Sequence, residues 1–307
     1  MPPVVPLVAI SEAEFAVLRE SRICIPTDHA VIRVEGAGTI DCLQGMLTNE
    51  VEKLADRSAA WGAFLTPKGM IITDAWVVRD GASAWVVVPA GAHVTVRQLF
   101  ARTIPPRIAK VSDLTGTMQV RWLCGSTPAV IDRAIIARPH DAAPFTVMLL
   151  TPDAAAHDFQ LAELGWITVP GGHADVVKLL AGWPTLGREI DDKTLPQEVR
   201  FDELGGVKYD KGCYTGQETV ARLHFRGHAN RQLRGICWAP GERPTDTAVS
   251  DGTKVVGTLR TLVQIGDRSV ALSVLRHEVL VGDMVRTGET EGVIVEPPFD
   301  LGEPAVA

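Results

Sequence analysis

No CxxC pair occurs anywhere in the 307 residues, and no stretch reaches the roughly 18 consecutive apolar residues that cross a bilayer. The five cysteines, Cys24, Cys42, Cys124, Cys213 and Cys237, stand far apart. That spacing excludes a zinc knuckle, a dithiol redox site and a self-contained four-cysteine cluster. The order GxxxxGK[ST] is missing, and with it a P-loop. Positive charge is also short: 30 Lys and Arg against 37 Asp and Glu leave a net charge of −7. A protein that wraps nucleic acid is therefore disfavoured, although local basic patches remain open. Neither a basic start nor a long apolar region marks Met1 to Ile10 as a secretory leader. A cytoplasmic location, reduced thiols and no membrane partner are the expectations.

Hydrophobic residues make up 46% of a chain longer than one compact core usually serves, so two or three domains are expected. Ser11 reads as the N-cap of a helix from Glu12 to Glu20. Ala30 to Glu35 reads as a strand and Thr39 to Leu47 as a helix. Ala59 to Leu65 and Gly69 to Arg79 form strands about a Thr66-Pro67-Lys68-Gly69 turn. Ala84 to Pro89 continues the meander, followed by a helix over Ala92 to Ala101. Strand signals at Met118 to Leu123 and Phe145 to Leu150 flank a less regular connector. Further helices read at Ala154 to Leu164 and Val176 to Leu180. From about residue 230 the β-formers cluster between glycine-containing turns, at Gln232 to Trp238, Thr253 to Gln264, Arg268 to Leu275 and Gly292 to Glu296, which predicts a small antiparallel barrel. Pro297 to Ala307 reads as a mobile tail. Mixed hairpins and short helices make the class α+β, not a doubly wound parallel sheet.

The densest chemistry lies in Asp210-Lys211-Gly212-Cys213-Tyr214-Thr215-Gly216-Gln217-Glu218. Two glycines allow close backbone approach, while a thiol, a phenol, a hydroxyl, an amide and a carboxylate crowd between them. A helix continuing through Arg222 would aim its first N–H groups at an anion. Two accounts stand: a strand-to-helix turn whose glycines solve backbone sterics, or a ligand site. Lys211, Arg222 or the helix start would make Cys213 more reactive than a buried thiol. Lys208, Lys211, Arg222, Arg226, Arg231 and Arg234 form the most basic local run.

Lys211 to Glu218, with Ala221-Arg222 and Phe225-Arg226-Gly227, resembles the diagnostic segment of the YgfZ family, which is related to the aminomethyltransferase of the glycine cleavage system. Leu43-Gln44-Gly45 with Leu47 to Val51, Phe64 to Gly69 with Asp74, Leu195 to Glu198 and Leu204 to Val207 resemble further landmarks of the family. So do Gly257-Thr258 and Gly282-Asp283 in the barrel. Together these landmarks span most of the chain.

The resemblance implies a three-domain cloverleaf around a central opening. Residues 1–50 and 115–229 would form a discontinuous folate-binding domain, 51–114 a second α+β domain, and 230–307 the barrel and tail. It implies tetrahydrofolate or a derivative as ligand and a monomer that supports assembly or repair of iron-sulfur enzymes, some of which modify transfer RNA, with no direct nucleic-acid contact. Cys213 would do thiol chemistry or touch a cluster transiently, its other ligands coming from outside the chain. Asp74, with Thr73 where the relative has an acidic neighbour, would orient a folate nitrogen. Gln44, Asn49, Trp61, Phe64, Tyr214, Gln217, Glu218, Arg222 and Arg226 would complete the folate site, and no resident metal is implied. Capping of local backbone is the alternative for Gln44 and Asn49, and core packing is the stronger reading for each of Trp61, Phe64 and Trp76 taken singly. Leu180 stands where the transferase has a folate-contacting glutamate, which counts against aminomethyl transfer. A one-carbon transferase and a partner-binding protein on the same fold are the alternatives.

Overall fold

Ser11 and Glu14 exchange hydrogen bonds, backbone N–H to side chain in both directions at 2.8 and 3.2 Å, and this capping box starts the first helix. The computed structural model describes residues 7–126, 131 and 133–301. Six α-helices follow one another in the described chain: α1 (Glu12–Glu20), α2 (Thr39–Gln44), α3 (His93–Thr103), α4 (Ala154–Glu163), α5 (His173–Ala181) and α6 (Gln217–Arg226).

Three sheets carry the fold. One is antiparallel throughout, in the order Ala59–Leu65, Ile71–Asp80, Ser83–Pro89, His29–Glu35 and Lys110–Asp113. Every residue of Ala59–Leu65 is buried, because both faces of this sheet are covered. On one side Val96 and Phe100 of α3 pack with Leu43 and Phe64; on the other lies a tryptophan-rich core shared with the second sheet.

The second sheet runs Ile167–Thr168, Ile23–Thr27, Gln119–Cys124, Val147–Thr151 and Ile135–Ala137. Ile23–Thr27 is missing from the sequence-based elements because Pro26 argues against a strand. The structure tolerates it: the neighbour on that side pairs only with Ile23 and Cys24, so at Pro26 the strand is already an edge. Its N–H would have had no partner there.

The third sheet closes on itself. Arg231–Trp238, Ala248–Ser250, Val255–Ile265, Arg268–Arg276, Met284–Thr287 and Thr290–Val295 form a six-stranded antiparallel barrel, and Val8–Ile10 adds in parallel to Val255–Ile265. Closure removes the open edges that an isolated sheet would expose. Ile236, Val249, Leu262 and Ile294 fill its interior, and α5 packs Val176, Leu179 and Leu180 against its outer side. The α+β class and the C-terminal barrel are as expected.

The tail is not as expected. Residues 297–301 are docked: Phe299 N–H donates to the Leu180 carbonyl at 2.8 Å, and Phe299 and Leu301 join the core between α5 and the barrel. Apolar side chains at 299 and 301 outweigh the breaker residues around them. Residues 302–307 lie outside the described part.

Candidate functional site

Lys211 is the keystone of the motif. Its ammonium donates to the carbonyls of Gln44, Leu47 and Asn49, each at 2.7 Å, so one cation satisfies three acceptors in the segment that leaves α2. Burial pulls its pKa down to about 8, with Glu50 opposing the shift. The segment is tied from the other side as well. Thr48 Oγ1 donates to the Gly206 carbonyl at 2.6 Å, and Asn49 Nδ2 donates to the carbonyls of Trp61 and Gly205 at 2.6 and 2.8 Å. Gln44 Oε1 accepts from the N–H groups of Val51 and Glu52. Gln44 and Asn49 thus hold backbone, and the Lys211 charge is spent on carbonyls.

The landmarks that lie far apart in sequence meet here. Thr215 N–H donates to the Gly45 carbonyl, and Gly216 sits with φ +83° against the Thr66–Gly69 turn. A Cβ on Gly216 would lie 2.6 Å from the Thr66 carbonyl oxygen, so only glycine fits. Tyr214 is buried in the tryptophan-rich core, and Gln217 opens α6. Glu218, Arg222 and Arg226 are exposed on that helix. Phe64 faces the other core, edge-on to Phe100. The predicted site residues therefore divide between a structural knot, an exposed helix face and a buried pair, and they do not converge on one cavity.

Cys213 is the exposed member of the five free cysteines. Burial pushes the thiols of Cys24 and Cys124 up to about 12, that of Cys237 up to about 11, and raises Cys42 as well. Since alkylation needs both a thiolate and access, native protein at pH 8 should lose one thiol quickly to iodoacetamide. Peptide mapping should place the label on Cys213; first modification at any other cysteine would contradict this assignment.

The buried pair is Asp74 with Trp61. Strand alternation turns Asp74 to the same side as Trp76 and Val78, into the core between the two sheets. Trp61 Nε1 donates to Asp74 Oδ2 at 3.2 Å, while the buried Oδ1 has no partner among the described residues. Around them Trp61, Trp183 and Phe201 pack with ring centroids 4.1 Å apart from Trp61, and Trp76 stacks on Trp183 at 5.6 Å. Gly206 is required beneath this layer, because a Cβ there would lie 2.7 Å from the Trp61 ring.

Lys178 of α5 is the cation that acts on Asp74. Burial raises the Asp74 carboxyl and lowers the Lys178 ammonium, each opposed by the charge of the other. Lys178 also lies 5.3 Å from the Trp122 ring and lines a cavity of about 280 Å³ with His29, Trp122, Asp175 and Arg188. Arg188 holds Asp175 through two bonds at 2.9 and 3.2 Å. Sequence reading passed over these residues. The one available signal is a lone lysine among the apolar residues Val176, Val177, Leu179 and Leu180. Leu180 itself faces the barrel, so the cavity side of this helix carries Asp175 and Lys178.

His29 shares a 2.9 Å hydrogen bond with Thr27 Oγ1 and lies 5.4 Å from the Trp122 ring. Burial, reinforced by Lys178, depresses its pKa to about 3. Its sign follows from linkage: between about pH 6.5 and 3 the unfolded chain binds more protons, so stability falls as pH falls through this window. His29→Gln should show a smaller drop in Tm between pH 6.5 and 4.5 than the parent. An equal drop in both would refute the neutral buried imidazole.

No family model matches the chain. The tRNA-modifying protein YgfZ of Klebsiella pneumoniae strain 342 is 26% identical over 301 residues, covering 89% of this chain and 91% of that protein. Its counterpart in Escherichia coli O157:H7 is 23% identical over 303 residues, covering 90% and 92%. Among solved structures, the glycine cleavage system aminomethyltransferase T from Bartonella henselae superposes with a TM-score of 0.76 at 15% identity, over 91% of this chain and 86% of that one. The fold of that aminomethyltransferase is thereby shared.

Proposed function

We propose, from the premise that this chain belongs to the YgfZ family, that it binds a reduced folate and serves the modification of transfer RNA as a helper of iron-sulfur enzymes. One observation carries the folate part: the unpartnered Oδ1 of Asp74, buried beside an indole donor and acted on by a half-buried lysine. A carboxylate accepts only, and a pterin ring offers N–H donors, so the chemistry is complementary.

The residues present fit such a ligand. The cavity of about 280 Å³ has Trp122 for a flat ring and Lys178 for a carbonyl oxygen; Asp74 is not on its wall and is linked to it through the charge of Lys178. It stands near the lower end of small-ligand pockets, so the tail of a folate would extend past Arg188 toward solvent. Bound folate supplies a carrier for a one-carbon unit. The charges of Lys178 and Asp74 oppose each other's burial shifts, so Lys178 favours the ionised, accepting form of the Asp74 carboxyl. Cys213 stands at the surface beside α6, where a client cluster would complete its ligand set from its own protein. On this reading turnover is not required; of the two carboxylates on the cavity wall, Asp28 and Asp175, the second is already paired with Arg188.

Titration of the full chain with tetrahydrofolate under reducing conditions tests the proposal. Saturable quenching of tryptophan fluorescence is expected, since Trp61, Trp76, Trp122 and Trp183 all lie in the core around Asp74. No saturation up to millimolar ligand would overturn it.

A further inference from the structure

A second cavity, of about 350 Å³, opens on the other side of the Asn49–Gly205 knot. Leu54, Ala55, Ala59 and Ala60 give it apolar walls. Lys53 and Lys208 are both exposed on its lining, and among the described residues neither forms an ion pair; Glu50 is the one acidic side chain that lines it. The Glu50 carboxylate is occupied in part, accepting from the Lys53 backbone N–H at 3.1 Å.

The inner wall is an imidazole. His140 stacks on Trp76 at 5.9 Å and on Trp183 at 5.8 Å, which fixes its plane against the tryptophan core. Ala142 N–H donates to Nδ1 at 3.3 Å, so Nδ1 is the acceptor and the proton sits on Nε2. That Nε2–H is buried and has no partner among the described residues. Burial also depresses the His140 pKa, which keeps the ring neutral and a donor at neutral pH.

We infer that this cavity is a binding site for a small organic carboxylate with a flat apolar body. The body lies against the alanine and leucine walls and the imidazole of His140, and the carboxylate sits between Lys53 and Lys208. Charge sets the specificity: two free ammonium groups against one engaged carboxylate favour an anion and disfavour a cation of the same shape. The site shares no lining residue with the Lys178 cavity and does not depend on folate binding.

The experiment uses 1-naphthoate, 1-naphthylmethylammonium and 1-naphthalenemethanol as probes on the full chain, read by saturation-transfer NMR and calorimetry. Naphthoate should bind at least tenfold more tightly than the ammonium probe, with the alcohol between them. Lys53→Ala with Lys208→Ala should weaken naphthoate at least tenfold and leave the alcohol unchanged. Ala55→Trp, an exposed position on the cavity wall, should abolish binding of all three probes while the melting curve stays native-like. Naphthoate and tetrahydrofolate should bind without competing. Equal binding of the two charged probes, or naphthoate binding unchanged in both variants, overturns the site. Mutual competition with tetrahydrofolate overturns its independence.

Discussion

Lys211→Met should be the most damaging single substitution in the motif, lowering stability by about 3 kcal/mol or more. The ammonium makes three 2.7 Å bonds to the carbonyls of Gln44, Leu47 and Asn49. Hydrogen bonds to a charged group contribute about 1.5–3 kcal/mol each, without simple additivity, and methionine would leave three acceptors in a segment held against the core without their donor. For a chain of this size the melting temperature should fall by roughly 5 °C or more, readable by scanning fluorimetry. Arginine should not rescue, since a planar fork does not place donors on three carbonyls converging on one point. A melting temperature within 1 °C of the parent would show that Lys211 is not the clamp. The same outcome would reopen it as a group acting on Cys213 or on an anionic ligand.

Asp74→Asn carries the largest expected effect on binding. It removes the charge and converts one acceptor into a donor while leaving an oxygen for Trp61 Nε1–H, so the fold should persist. Tetrahydrofolate affinity should fall roughly thirtyfold, which is about 2 kcal/mol, the scale of a charge-assisted hydrogen bond. Because burial raises the Asp74 carboxyl, parent affinity should weaken on acidification at a pH above the usual aspartate range, and the asparagine variant should lack that dependence. Affinity within threefold of the parent, in a protein with unchanged circular dichroism, would remove Asp74 from the site. Lys178→Met is the companion test, since it leaves the carboxylate unopposed and should raise the pH at which binding is lost.

Local periodicity carried most of the secondary structure. The Ser11 cap, the Thr66–Gly69 turn and the barrel strands are dictated by neighbours within a few residues, and such signals survive folding. Ile23–Thr27 was hidden because Pro26 is a breaker unless the strand beside it has already ended. The docked tail was hidden for a related reason: Phe299 and Leu301 become core only when α5 and the barrel present apolar surfaces to them.

The site divides along the same line. Lys211 to Glu218 carried the resemblance to the YgfZ proteins by identity and order, a property of the linear chain. Which of its groups bind, cap or face solvent depended on contacts across more than 150 residues, such as Lys211 to Gln44 and Asn49 to Gly205. Phe64 and Trp61, three residues apart, point into different cores because strand neighbours alternate.

Sequence alone thus determined the α+β class, the barrel, the likeness to the YgfZ proteins and the exceptional character of the Lys211–Glu218 segment, since residue order and short-range propensity suffice for these. Tertiary structure alone decided that Lys211 clamps backbone, that Asp74 lies buried with one oxygen unpaired, and that Lys178, not Leu180, faces the cavity. Burial, partner count and electrostatic neighbourhood arise only when distant segments meet, and these properties set what a side chain can do.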